Sequence, residues 1–459
     1  MTTNKFAAAG DLERFLESHP EIESIDAVFP DMCGIIRGKR LSVAHARQLF
    51  REGLQIPGSM LLLAVNGSCM DPLGRGVSDG DPDVLIRPLA DSLIALPWAQ
   101  PPRGQVTVSF LDATGTESSL EPRNLLAKVA ARFNELGLQP VVACELEFCL
   151  IDRERDGNGA PRRAVSPVAG CRHESAQLMG LAQLDDFGEY ADNVVTACRE
   201  LGLPVTALNA EYGGDQFEIN LRHVDSALQA ADHAVLLKEL VQRAAVHHDL
   251  RATFMAKPYT AAAGSGMHWH VSLLDADGNN AFDDGGARGS DTLRHAVAGV
   301  LETMPEAMGF YAPNINSYRR FKPGLFVPMS RSWGYNNRSV ALRVPGGKSR
   351  DRRLEFRVPG ADANPYLALA ALLSGMHHGI DEKLAPVAAS EGNACEERDD
   401  GLPLRLFDAL QALDKAAILP AYLGADYCAV YAATKRLELD AFLEELSARE
   451  FDWYLRSDA

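Results

Sequence analysis

Four short stretches of this chain alternate apolar and ionisable residues with a period of two. In an extended strand alternate side chains share a face. In "ACELEFCLI" Leu146 and Phe148 therefore oppose Glu145 and Glu147; in "QFEINL" Phe217, Ile219 and Leu221 oppose Gln216, Glu218 and Asn220. In "MHWHVSL" Trp269, Val271 and Leu273 oppose His268, His270 and Ser272; in "RRLEFRV" Leu354, Phe356 and Val358 oppose Arg353, Glu355 and Arg357. One such strand is what any sheet with a wet face looks like. Solvated faces, however, mix Thr, Ser, Lys and Gln, whereas these four collect Glu, His and Arg. Together they point to a sheet with one packed face and one lining a polar cavity.

Carboxylates one strand pitch apart, such as Glu145 and Glu147, repel each other unless a cation lies nearby. With Glu211, Glu218, Glu355 and His268 the resolution is a divalent metal, Mg²⁺ or Mn²⁺ rather than zinc, which prefers more nitrogen and sulfur. Five carboxylates are too many for one magnesium ion, so more than one ion is expected.

A basic run follows. Between Tyr318 and Arg357 eleven Lys or Arg stand against two acids, Asp351 and Glu355, in a chain whose net charge is −17. A surface loop or a subunit interface would also look like this. Yet Arg338 and Arg343 flank Val340 and Leu342 in a strand-like segment, and Arg353 and Arg357 flank Glu355. Arginines beside candidate metal ligands suit a polyphosphate and a carboxylate substrate, which is the arrangement phosphoryl transfer needs. No GxxxxGK[ST] loop is present, so a P-loop fold is not expected.

At 459 residues the chain is too long for one small core. Residues from about 20 to 115 read as short strands separated by turns, and the amphipathic helix of "EPRNLLAKVAARFNELG" opens a second unit. The boundary is placed at 119/120. Asn364 and Pro365 mark a helix start, and "DADGNNAFDDGGARGSD" (275–291) reads as an exposed loop. The acidic balance argues against nucleic acid. Eight cysteines without a CxxC pair indicate free thiols, and with no signal peptide or membrane-length apolar run a cytoplasmic location is expected.

"KPYTAAAGSGMHWHVS", "ELEF", "GGDQFEIN", "NSYRR", "NNRSVALRVP" and "RRLEFRVPGADANPYL" resemble, in order and spacing, the motifs of type I glutamine synthetases. That resemblance implies an α+β chain, a small N-terminal β-grasp-like domain (1–119) before a catalytic domain (120–459) whose curved antiparallel sheet is flanked by helices. It implies two or three Mg²⁺ or Mn²⁺ per active site. One ion would be held by Glu147, Glu211 and Glu218, another by Glu145, His268 and Glu355. His270 and Ser272 would lie along ATP, the co-substrate, with Arg338, Arg343 and Arg353 near its phosphates and Arg338 acting catalytically. L-Glutamate would be held by Arg320, Arg357 and the Gly264 backbone. A homo-oligomeric ring, hexamer or dodecamer, is implied too.

Departures from the ammonia-using members fall at the acceptor end. Pro57, within "QIPGSMLLLAVNG", stands where an ammonium-binding Asp would align; Phe326 stands at the flap Glu, and Ala263 replaces an Asn. The family's adenylylation segment is not recognisable. Met60, Leu61, Leu62 and Phe326 make the acceptor end larger or more apolar, with Trp333 lining it or packing beneath the flap. The pattern resembles γ-glutamylpolyamine synthetases. The expected activity is ATP-dependent joining of the glutamate γ-carboxylate to an organic amine, putrescine or another polyamine first, in amine catabolism. Ammonia-dependent glutamine synthesis is the nearest alternative; an inactive structural or regulatory homologue is the alternative of another class.

Overall fold

The computed structural model describes residues 5–175 and 178–455. Six strands form a first, mixed sheet: β1 (Ser24–Pro30), β2 (Ile36–Ser42), β3 (Leu54–Pro57), β4 (Asp83–Pro88), β5 (Ile94–Ala95) and β6 (Gly104–Leu111). Their order is β2, β1, β6, β4, β3, with β5 also on β6. Only β1 and β6 run parallel. The strand-and-turn reading of this region omitted one helix, Val43–Glu52. Ser42 caps it, and Ala46, Leu49 and Phe50 form the buried stripe that a half-buried helix requires.

Nine strands form the second sheet: β7 (Gln139–Arg155), β8 (Pro161–Arg163), β9 (Val205–Ala210), β10 (Gln216–Leu221), β11 (Leu250–Thr253), β12 (Met267–Leu274), β13 (Trp333–Tyr335), β14 (Leu342–Val344) and β15 (Leu354–Phe356). The order is β13, β14, β15, β12, β7, β10, β9, with β8 and β11 also on β7. All pairings are antiparallel except β13 with β14. Leu146, Phe148, Trp269, Val271 and Phe356 are buried on one face, each contributing about 1.5–3 kcal/mol by leaving water.

Two core helices, Asp291–Tyr311 and Pro365–Asp381, pack against each other at backbone distance. A Cβ on Gly299 would lie 2.1 Å from the Gly375 carbonyl oxygen, so this crossing requires glycine. Asn364 caps the second helix as expected, accepting from the amides of Tyr366 (2.9 Å) and Leu367 (3.4 Å). Its side-chain nitrogen donates to the carbonyls of Asp31 (3.0 Å) and Met32 (3.3 Å) in the N-terminal segment.

Two local expectations need correction. The stretch 275–291 is not wholly exposed, because Phe282 is fully buried and Ser290 already caps the following helix at Asp291. The segment from Arg338 to Leu342 is not a strand: β14 begins at Leu342, and Asn336, in the left-handed region at φ 46°, turns the chain before Arg338. Among the described residues no helix is long and apolar enough to cross a membrane.

Candidate active site

Strand register assembles the polar face. β7 lies between β10 and β12, so Glu147 stands opposite Glu218 and Glu145 opposite His268. Opposed residues bring their Cβ atoms to about 5 Å. The row continues from His270 to Glu355 and from Glu355 to Arg343. Two donor sets result, with atoms within 4.8 Å of one another: Glu145, His268 and Glu355, and Glu147, Glu218 and His268. His268 Nδ1 is 3.4 Å from Glu145 and its Nε2 3.8 Å from Glu147, so the imidazole bridges them.

The first set is neutralised from within the chain. Glu355, 1 % exposed, accepts from Arg343 at 2.7 Å and from Arg357. Burial opposes its ionisation, yet Arg357, His270 and His268 outweigh that and bring its pKa down to about 2. Burial likewise opposes ionisation of Glu145, but His268 and His270 hold it far below the usual carboxylate range. His270 Nε2 is 2.9 Å from Glu145, and its Nδ1 accepts from Arg353 at 3.1 Å.

At the other end only His268 opposes the carboxylates' repulsion, and it does not outweigh burial and the neighbouring acids. Burial, then Glu145 and Glu147, push Glu218 up to about 7. Glu211 is raised to about 8 by burial, Glu147 and Glu218, although it joins neither compact donor set. Crowded, partly dry carboxylates that resist ionisation are a donor set fitted to a hard divalent cation.

The glycine loop closes one side. A Cβ on Gly264 would lie 2.6 Å from both the Ala256 carbonyl oxygen and Arg320 Cγ, so only glycine lets the loop settle on the arginine. Arg320 is 2 % exposed and donates to the Val358 carbonyl at 3.0 Å; its Nε and that of Arg357 are buried without partners among the described residues. Buried unpaired guanidinium donors are costly and fit a carboxylate ligand. Gln216, given no role from the sequence, donates to the Gly264 carbonyl at 3.0 Å and to Glu147 at 3.3 Å. Tyr259 anchors the loop through Asp215, its hydroxyl donating at 2.7 Å, while Arg163 pairs with the same carboxylate. No periodic signal marked either residue.

Ser272 and Arg353 line a cavity of about 750 Å³ with His223 and Asn280. Arg338 is exposed in its turn and makes no side-chain hydrogen bond or ion pair among the described residues. Trp333 is 4 % exposed, donates to the Val387 carbonyl at 2.8 Å and meets Tyr335 edge-on, the packed alternative of its two readings. Leu61 and Leu62 are likewise core residues. Phe326 differs: half exposed at φ 54°, it stacks on Tyr212, with ring centroids 5.6 Å apart.

The family model for the glutamine synthetase catalytic domain matches residues 119–454. γ-Glutamylputrescine synthetase PuuA of Escherichia coli (strain K12) is 38% identical over 449 residues, covering 97% of this chain and 94% of that one. A glutamine synthetase of Halobacterium salinarum is 30% identical, with 98% of each chain covered. The solved structure of apo GmaS without ligand superposes with a TM-score of 0.83 at 28% identity, covering 96% of this chain and 98% of that one. Sheet, donor sets and relatives together define an ATP-dependent ligase that forms C–N bonds. The chain belongs to the glutamine synthetase family.

Proposed function

We propose that the protein joins the γ-carboxylate of L-glutamate to an organic amine, putrescine or another polyamine first, rather than to ammonia. The observation that carries this reading is Phe326, a half-exposed phenyl at the position where ammonia-using relatives are expected to present a carboxylate. Greater identity to the putrescine ligase than to the haloarchaeal glutamine synthetase, 38% against 30%, points the same way.

A carboxylate is a poor acyl donor, because oxide is no leaving group. The γ-carboxylate oxygen therefore attacks the γ-phosphorus of ATP, expelling ADP and forming γ-glutamyl phosphate. An uncharged amine attacks the acyl carbon, phosphate leaves and the nitrogen sheds a proton. Arg320 and Arg357 clamp the glutamate carboxylate beside the Gly264 backbone. Arg343 and Arg353 neutralise ATP phosphates, His270 and Ser272 lie along the nucleotide, and Arg338 neutralises charge on the transferring phosphoryl group. Divalent ions held by Glu145, His268 and Glu355, and by Glu147, Glu218 and Glu211, would supply charge neutralisation on the transferring group. The reading includes a catalytic unit over 120–459 and a homo-oligomeric ring, whose copy number light scattering would give.

Phosphate release from ATP, Mg²⁺ and L-glutamate, measured with ammonia, putrescine, spermidine, ethanolamine and isopropylamine and with products identified by mass, tests it. An organic amine is expected to be the best acceptor. Ammonia as the best acceptor would return the chain to glutamine synthesis and overturn the role of Phe326.

A further inference from the structure

Tyr212 and Phe326 are 46 % and 50 % exposed, yet they stack on each other at an interplanar angle of 26°. Phe326 adopts a left-handed backbone, a conformation that costs a bulky residue energy and persists only where its surroundings hold it. Tyr212 follows Glu211 directly, so its Cα stands about 3.8 Å from that of a residue whose ionisation Glu147 and Glu218 oppose. A half-exposed aromatic platform thus stands one residue from this end of the carboxylate row. Neither ring has a cation near it among the described residues, although cation–π contacts occur elsewhere in the chain.

We infer that Tyr212, together with Phe326, forms the contact surface for the acceptor amine and selects a primary alkylamine over ammonia. The inference rests on the ligase reading above and deepens it by adding Tyr212 and the class of acceptor. Either cation can approach the rings, but only an alkylammonium can cover them with methylenes while its charge meets their π faces. Ammonium has no carbon to lay on them. Selection therefore lies in the binding of the carbon chain, and phosphoryl transfer is untouched by it.

Steady-state kinetics with putrescine separates these roles. Tyr212→Ala is expected to raise KM for putrescine about tenfold, as is Phe326→Ala, with kcat and the KM values for ATP and L-glutamate within about twofold of wild type. Tyr212→Phe, which keeps the ring, recovers most of the affinity; Tyr212→Leu, which keeps apolar area without a π face, falls between. Both positions are half exposed and lie outside the core, and thermal denaturation of each variant checks folding. If wild type uses putrescine and both alanine variants keep its KM within twofold, the inference is overturned while the ligase reading stands. If wild type uses ammonia and no organic amine, both fall.

Discussion

The two ends of the carboxylate row meet the same physical problem differently. At the Glu145 and Glu355 end the protein supplies its own partners, with two arginines on Glu355 and two imidazoles beside Glu145. At the Glu211 and Glu218 end it supplies almost none, and both carboxyls hold protons more tightly than usual. One end is assembled before any ligand arrives, and the other is left uncompensated for an ion to complete. Removing an acid should therefore have opposite structural consequences at the two ends, even where both removals stop catalysis.

The largest effect is expected from Glu355→Ala. It strands Arg343 and Arg357 in the interior, so stability falls by about 3–5 kcal/mol in denaturant melts, and phosphate release drops by about 10³-fold. Glu211→Ala should lower turnover by about 10–100-fold without lowering the melting temperature, since it relieves repulsion by Glu147 and Glu218. A melting temperature that falls equally in both variants would erase the distinction.

A pH series sharpens it. The folded-state pKa values of Glu211 and Glu218, about 8 and about 7, lie above their ordinary value of 4.5. Their stabilising contribution is whole below about pH 4.5 and is lost as pH rises through 7 to 8. Melting curves in EDTA and in Mg²⁺ should thus separate progressively from pH 5 to pH 9, the metal-loaded protein being the more stable. Parallel curves would refute the uncompensated end. The smallest effect belongs to Trp333→Phe, which forfeits one hydrogen bond to Val387, about 1 kcal/mol, and should leave the order of preferred amines unchanged.

Much of this site was legible in the sequence because β7, β10 and β12 are long enough for period-two alternation to leave no choice of face. Glu145, Glu147, Glu218 and His268 follow from that alone. β13, β14 and β15 have three residues each, too few for alternation to decide a face. Trp333 could therefore be read either way, and Arg338 was drawn into a strand although the Asn336–Asn337 pair before it signals a turn. Tyr212, Asp215 and Tyr259 sit at or beside loops, where partners are set by tertiary approach and no period exists to find them. The helix Val43–Glu52 carried its signal openly, in the Ser42 cap and the spacing of Ala46, Leu49 and Phe50.

Asn364 has a consequence for how the chain unfolds. Its carbonyl oxygen holds the first turn of a core helix while its amide nitrogen grips the backbone at Asp31 and Met32. Peeling the N-terminal segment away would free the anchor of that helix start, and fraying the helix would release the segment. The two ends of this contact are thereby coupled: hydrogen exchange at the Tyr366 and Leu367 amides should quicken when the contacts to Asp31 and Met32 are removed.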